Sequence, residues 1–266
     1  MDDRYSWANG IQNPLVGNTN RNGVPICTLS EDVFAERYTD ELKQEVLSGG
    51  LLVYREGLIP RFRHRRLRQI ILLGTKGDIF GESVPQTITE SILRDCEDCE
   101  RHVFLCLTEN VRKYRDYSLP SSTNIWYGVT LSSDADAWKL LHLPIRNEPV
   151  FVRIGPLSRP LSKEVLNLIA RRAGWVILSA RDWQSKRTVS LPNTEWIQSI
   201  VEEVGKTGAK KPIFMEDSLK GTGLKLLKQR PYQMEKILAK NVDELQDILA
   251  KNEDKPQECF PAQATA

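Results

Sequence analysis

Histidine and methionine are scarce in this chain, with three of each in 266 residues, and cysteine is little commoner at five. Three histidines leave small scope for a His-based metal or catalytic centre, and no Ser-His-Asp, H-E-x-x-H or P-loop spacing is present. The cysteines, at 27, 96, 99, 106 and 259, form an odd, scattered set, which argues against a disulfide framework and for a reducing compartment. Long hydrophobic runs are missing as well. The longest aliphatic ones, such as Ile70-Ile71-Leu72-Leu73, are strand-sized and far short of the roughly 18 residues a membrane helix needs. The opening Met1-Asp2-Asp3-Arg4-Tyr5 is polar and carries no signal-peptide core. The expectation is a cytoplasmic protein with no membrane partner. Neither sign of charge dominates: 37 Lys and Arg against 35 Asp and Glu leave +2. Bulk charge therefore announces no nucleic-acid partner, and any basic surface must be local.

What remains is ordinary globular composition, 40% hydrophobic and 27% charged, which excludes disorder or coiled coil for most of the chain. From residue 69 onward, short apolar runs alternate with amphipathic segments. The runs are 69–75 (QIILLGT), 102–108 (HVFLCLT), 124–131 (NIWYGVTL), 150–157 (VFVRIGPL), 174–180 (GWVILSA) and 211–216 (KPIFME). Each is too short for a globular helix and rich in β-branched or aromatic residues, so each reads as a buried strand. Between them, Ile88, Ile92 and Leu93 share one helical face, as do Val165, Leu168 and Ile169, and Trp196, Ile197, Ile200 and Val201. Pro85, Ser132-Ser133-Asp134 and Pro192-Asn193-Thr194 mark starts of such segments.

Alternation at this spacing predicts βαβ units in an α/β fold: a parallel (β/α) barrel, partial or complete, with a further strand near Tyr5–Ile11 and a C-terminal helix. No G-x-G-x-x-G follows a strand, which disfavours a Rossmann sheet. The expected division is an N-terminal segment at 1–68, a barrel core at 69–230, an amphipathic helix within 231–251 and a disordered polar tail at 252–266. In such a barrel, chemistry belongs at the C-terminal ends of the strands. Thr75, Asp78, Thr108, Asn110 and Thr130 fall there. They are either remnants of a ligand pocket at the barrel mouth or caps of the turns that follow.

Two other features invite a functional reading. Arg61, Arg63, Arg65, Arg66 and Arg68 sit with His64 in eight residues, either a phosphate-binding patch or a solvated connector. Cys96 and Cys99 form a C-x-x-C with His102 and Cys106 beyond it, which reads as a zinc or redox site or as ordinary core cysteines. The tail helix, roughly Glu235–Lys251, either closes the barrel or docks a protein partner.

Ordered fragments then resemble one family. Asn13-Pro14-Leu15-Val16-Gly17 and Phe34-Ala35-Glu36-Arg37 are similar to a pattern NPxxGC followed by C-x-x-C-Y-A-x-R. Residues 59–67, 74–85, 107–110 (LTEN), 126–130 (WYGVT), 155–157 (GPL) and 214–219 (FMEDSL) follow in order. Together they resemble a phage-associated family of unknown function with a radical-SAM-like barrel. That resemblance implies a [4Fe–4S] cluster on three cysteines and S-adenosylmethionine on its fourth iron. Here the cysteine positions are Asn18, Ser30 and Val33, with only Cys27 nearby. The family's strand-end residues differ too: its glutamate is Gly155, two of its lysines are Glu109 and Glu216, and its glycine-rich turn runs through Trp183. The two reversals are expected to repel an anion that lysine would attract. The expectation is a catalytically degenerate member, a pseudoenzyme with no cluster and no cofactor, that binds a protein partner or nucleic acid. The alternative is a cluster-independent enzyme holding S-adenosylmethionine or a nucleotide at the mouth.

Overall fold

A computed structural model describes residues 6–16, 53–75, 77–144, 149–157, 159–181, 191–206, 211–239, 244 and 246. The main strands are β1 (Gly10–Gln12), β4 (Ile70–Leu73), β5 (Val103–Leu107), β6 (Ile125–Leu131), β7 (Val150–Ile154), β8 (Trp175–Leu178) and β9 (Ile213–Met215). They form one seven-stranded sheet in the order β1-β4-β5-β6-β7-β8-β9, and every neighbouring pair is parallel. A separate antiparallel pair joins β2 (Leu15–Val16) to β3 (Val53–Tyr54). The helices are α1 (Gln86–Glu97), α2 (Lys113–Asp116), α3 (Lys163–Arg172), α4 (Thr194–Lys206) and α5 (Tyr232–Leu238). From β4 to β9 each strand pair is bridged by one crossover, and between β6 and β7 that crossover is the 3-10 segment Asp134–His142.

β4 to β8 are buried along their whole length, which is why they read as continuous apolar runs instead of alternating ones. The helices bury the faces their spacing dictates: Ile92 and Leu93 on α1, Val165 and Ile169 on α3, Ile197, Ile200 and Val201 on α4. Ser162 caps α3 by accepting from the Val165 N–H at 3.4 Å, and Asn193 accepts from the Glu195 N–H at 2.8 Å at the start of α4. The strand expected near Tyr5–Ile11 is shorter and later, at Gly10–Gln12, because the chain before it turns inward: Trp7 is fully buried.

Trp7 also shows that the sheet curls. β1 and β7 lie four strands apart in the order, about 19 Å if the sheet were flat. Yet the Trp7 ring stands 6.0 Å from Phe151 on β7 and 6.4 Å from Trp175 on β8. The sheet is thus a half-barrel around an inner cluster of Trp7, Ile70, Leu72, Leu105, Trp126, Phe151, Trp175, Ile177 and Phe214. Gly128 permits this packing, since a Cβ there would lie 2.3 Å from the Phe151 ring. The outer face of the sheet packs against the helices in a second, larger cluster.

Among the described residues no strand pairing joins β9 back to β1. The far edge of β9 is instead covered by the returning chain, with Met215 N donating to Leu227 O at 2.7 Å and Gln229 N to Ile213 O at 3.1 Å. At the N-terminal ends of the strands, Met234 of α5 is buried in the inner cluster and Ile237 and Leu238 pack on it, so α5 closes the base. The helix expected over Glu235–Lys251 instead starts at Tyr232 and ends at Leu238, where Ala239 turns extended; the tail from 252 and the resembling cluster loop with Asn18, Cys27, Ser30 and Val33 lie outside the described residues, as does Trp183. No helix among the described residues is long and apolar enough to cross a membrane.

Candidate functional site

Inward-facing positions at the C-terminal ends of β7, β8 and β9 carry Arg153, Ser179 and Glu216, all at most 2% exposed. Arg153 follows Phe151 by two residues, so strand periodicity alone aims it inward. Its guanidinium donates to Gly155 O at 3.0 Å, to Ser179 Oγ at 2.8 Å and to Arg181 O at 2.7 Å, while Nε faces Glu216 Oε1 at 3.5 Å. Glu216 accepts from the Trp7 indole N–H at 2.6 Å on one oxygen, and from the hydroxyls of Ser179 and Ser218 on the other. Each carboxylate oxygen thus faces two donors. Trp7 and Glu216 join the two ends of the sheet through side chains where no backbone ladder does.

A second group stands over β5 and β6. The Lys139 ammonium, almost fully buried, donates to Glu109 Oε2 at 2.8 Å and to Thr130 O at 3.1 Å, and pairs with Asp136 Oδ1 at 2.9 Å. Burial alone would raise the Asp136 carboxyl, but the Ser132 N–H and Lys139 together hold it below its ordinary range. Lys139 thereby pins the 3-10 segment to the ends of β5 and β6.

The third group is built on Asp78, in the turn after β4. Its carboxylate accepts from the Phe80 N–H at 2.9 Å, from Thr108 Oγ1 at 2.6 Å, from the Glu109 N–H at 3.3 Å and from the Asn110 amide at 3.3 Å. Burial pushes the Asp78 carboxyl up despite all four donors. Of the five strand-end residues singled out from sequence, the fold joins three, Asp78, Thr108 and Asn110. Thr75 instead meets Asn13 across β1 and β4 at 3.3 Å. Thr130 stands apart on β6, its hydroxyl buried and without a hydrogen-bond partner among the described residues.

Glu109 and Glu216, the two glutamates at the strand ends, do not carry bare negative charge. Glu216 is matched by Arg153 and Glu109 by Lys139, so each is neutralised within the chain. Neither cation belongs to a motif legible in the sequence. The available signal was an arginine inside the apolar run VFVRI at the same parity as Phe151, where a solvated side chain cannot go.

The arginine connector is elsewhere. It forms a 3-10 turn, Pro60–His64, and feeds β4 at its N-terminal end, so it lies at the base, away from the mouth. Arg63 pairs with Asp98 at the end of α1, and Arg65 lies over the Phe62 ring at 4.5 Å. Arg68 donates to the Ile237 and Ala239 carbonyls that end α5. Arg61 and Arg66 are exposed. Glu97, Asp98 and Glu100 stand on the adjoining α1 terminus and turn. Further along the chain, Arg172 caps the Leu140 and Leu143 carbonyls and Lys206 pairs with Glu203. Cys96, Cys99 and Cys106 are buried free thiols in the outer cluster, and burial raises all three. No group of three metal-binding side chains occurs among the described residues. The three described cysteines belong to the outer cluster that packs the helices on the sheet, away from the mouth.

No curated protein and no solved structure matches the chain. Residues 3–214 match the family described as protein of unknown function (DUF5131), an extent that runs from the segment before Trp7 through β9. The chain belongs to that family.

Proposed function

We propose that this chain is a catalytically degenerate barrel of radical-SAM-like, phage-associated type that works as a binding component for a protein partner. One observation carries the reading: the polar groups at the ends of β7, β8 and β9 are spent on one another. Arg153 and Glu216 neutralise each other, and Ser179, Ser218 and Trp7 complete their hydrogen bonds. Below them the interior is filled by three tryptophans and two phenylalanines. Gly155 points the same way. It holds φ +152°, and a Cβ there would lie 2.3 Å from Ser179 O, so the glutamate of the resembling family cannot be accommodated.

Nucleic-acid binding by Arg61, Arg63, Arg65, Arg66 and Arg68 is less well supported, because the acidic end of α1 offsets the run and Arg68 is spent on α5. The alternative of S-adenosylmethionine or a nucleotide at the mouth draws on one observation, the buried Thr130 hydroxyl that has no hydrogen-bond partner among the described residues.

The test is anaerobic reconstitution with iron and sulfide, followed by thermal denaturation with S-adenosylmethionine. The expected result is no absorbance near ~400 nm, no stoichiometric iron and no rise in melting temperature. A ligand at 100 times its Kd would add about 2.7 kcal/mol, a shift of a few degrees, and that result would restore the enzyme reading. A salt-dependent gel shift abolished by Arg63→Glu, Arg65→Glu and Arg66→Glu would make nucleic acid the partner.

A further inference from the structure

On the outer wall of the half-barrel the 3-10 segment Asp134–His142 exposes two large apolar side chains one turn apart, Trp138 at 42% and Leu141 at 52%. Its other face is anchored: Lys139 and Leu140 are buried, and Trp138 is braced edge-on by His142 at 5.7 Å. The ridge is therefore held on a fixed support. Arginines flank it on both sides. From α2, Arg115 donates to the Leu141 carbonyl; from α3, Arg172 donates to the Leu140 and Leu143 carbonyls at 3.2 and 3.1 Å. Arg112, at the start of α2, is exposed, makes no ion pair among the described residues, and lies close enough, with Arg115, to depress His142 after burial has done so. Burial, Arg115 and Arg112 act there in that order, and Asp116 is the one acid opposing them.

We infer that this ridge is a docking site for an acidic segment of a partner protein, one that carries an aromatic or aliphatic anchor between aspartates or glutamates. An exposed, rigidly backed tryptophan beside arginines is the composition that concentrates binding energy at protein interfaces. The charge selects the occupant. A second copy of this chain, meeting the ridge through a two-fold axis, would bring Arg112, Arg115 and Arg172 against themselves. Leu141 offers neither a stacking plane to a base nor a charge to a phosphate, which disfavours nucleic acid. Arg115 and Arg172 fix the ridge through the carbonyls they cap, and the exposed Arg112 offers its guanidinium to a carboxylate. The site deepens the binding-component reading and rests on it.

The experiment uses the full chain. A random display library of about 12-residue peptides is panned against it and the selected peptides are measured by fluorescence anisotropy on wild type, Trp138→Ser and Arg112→Glu. Trp138 is exposed and the Arg112 side chain makes no ion pair among the described residues, so melting temperature is expected to stay level in both. The expected result is enrichment of peptides pairing Asp or Glu with Leu, Ile, Phe or Trp. Their affinity falls at least about tenfold in Trp138→Ser and about three- to tenfold in Arg112→Glu, and weakens with salt. Peptides without acidic residues, or peptides that bind both variants as well as wild type, overturn the inference. So does a Trp138-dependent dimer in light scattering, or Trp138-dependent binding of a single-stranded oligonucleotide. Cofactor binding measured on the same preparation bears only on the reading above, so the two can fail separately.

Discussion

The two ends of this half-barrel each hold an Arg–carboxylate pair, and the pairs differ in almost everything but chemistry. At the mouth, Arg153 and Glu216 are 1% and 2% exposed and share their remaining hydrogen bonds with Ser179, Trp7 and two carbonyls. At the base, Arg63 and Asp98 are 42% and 59% exposed. Water screens the second pair and gives either partner a substitute, whereas the first pair has only fixed protein groups around it. A dense arginine run therefore says less about this protein than one arginine inside an apolar strand.

Substitutions should separate the two ends sharply. Glu216→Ala strands a buried guanidinium and should cost about 3–5 kcal/mol in urea denaturation, with much of the loss recovered by adding Arg153→Met. A cost below about 1 kcal/mol would mean that the mouth is wet and the pair solvated. Between the ends, Gly128→Ala drives a methyl into the Phe151 ring and should cost about 1–3 kcal/mol, partly relieved by Phe151→Leu. Equal stability of Gly128→Ala would show that the interior is looser than its contacts imply.

At the base, His102 is buried, with its Nε2 at 2.9 Å from Phe62 O. Burial, and then Arg101, Arg65 and Arg68 against the Phe62 carbonyl, holds its pKa below the ordinary histidine value. The unfolded chain thus takes a proton that the folded chain refuses, so this contribution is intact above the unfolded pKa of about 6.5 and is lost as pH falls below it. The urea midpoint should drop from about pH 7.5 to about pH 5.5, and His102→Gln should flatten that slope. An unchanged slope removes His102 from the account. The smallest effect belongs to Asp98→Ala, expected below about 1 kcal/mol and vanishing in high salt. A larger loss would mean that the connector is fastened to α1 and not merely lying beside it.

How far the fold was legible follows from where each strand lies. Buried parallel strands must be apolar on both faces, so all six runs from residue 69 onward become strands within a few residues of their expected limits. β1 is displaced because Trp7 turns into the interior instead of extending the strand. At the candidate site, Asp78, Thr108 and Asn110 could be found as polar residues at strand ends, and they do meet. Arg153 and Lys139 were hidden, since their partners stand 63 and 30 positions away in Glu216 and Glu109.

Local pattern by itself determined the strands, the helical faces and the parallel, barrel-like class, because periodicity and burial act over a few neighbouring residues. Only the tertiary structure decided that the sheet stops at half a barrel, that Trp7 and Glu216 tie its ends together, and that Glu216 and Glu109 are each answered by a cation elsewhere. Those outcomes depend on which distant side chains share a water-poor space, and charge compensation there is set by the three-dimensional neighbour, not by position along the chain.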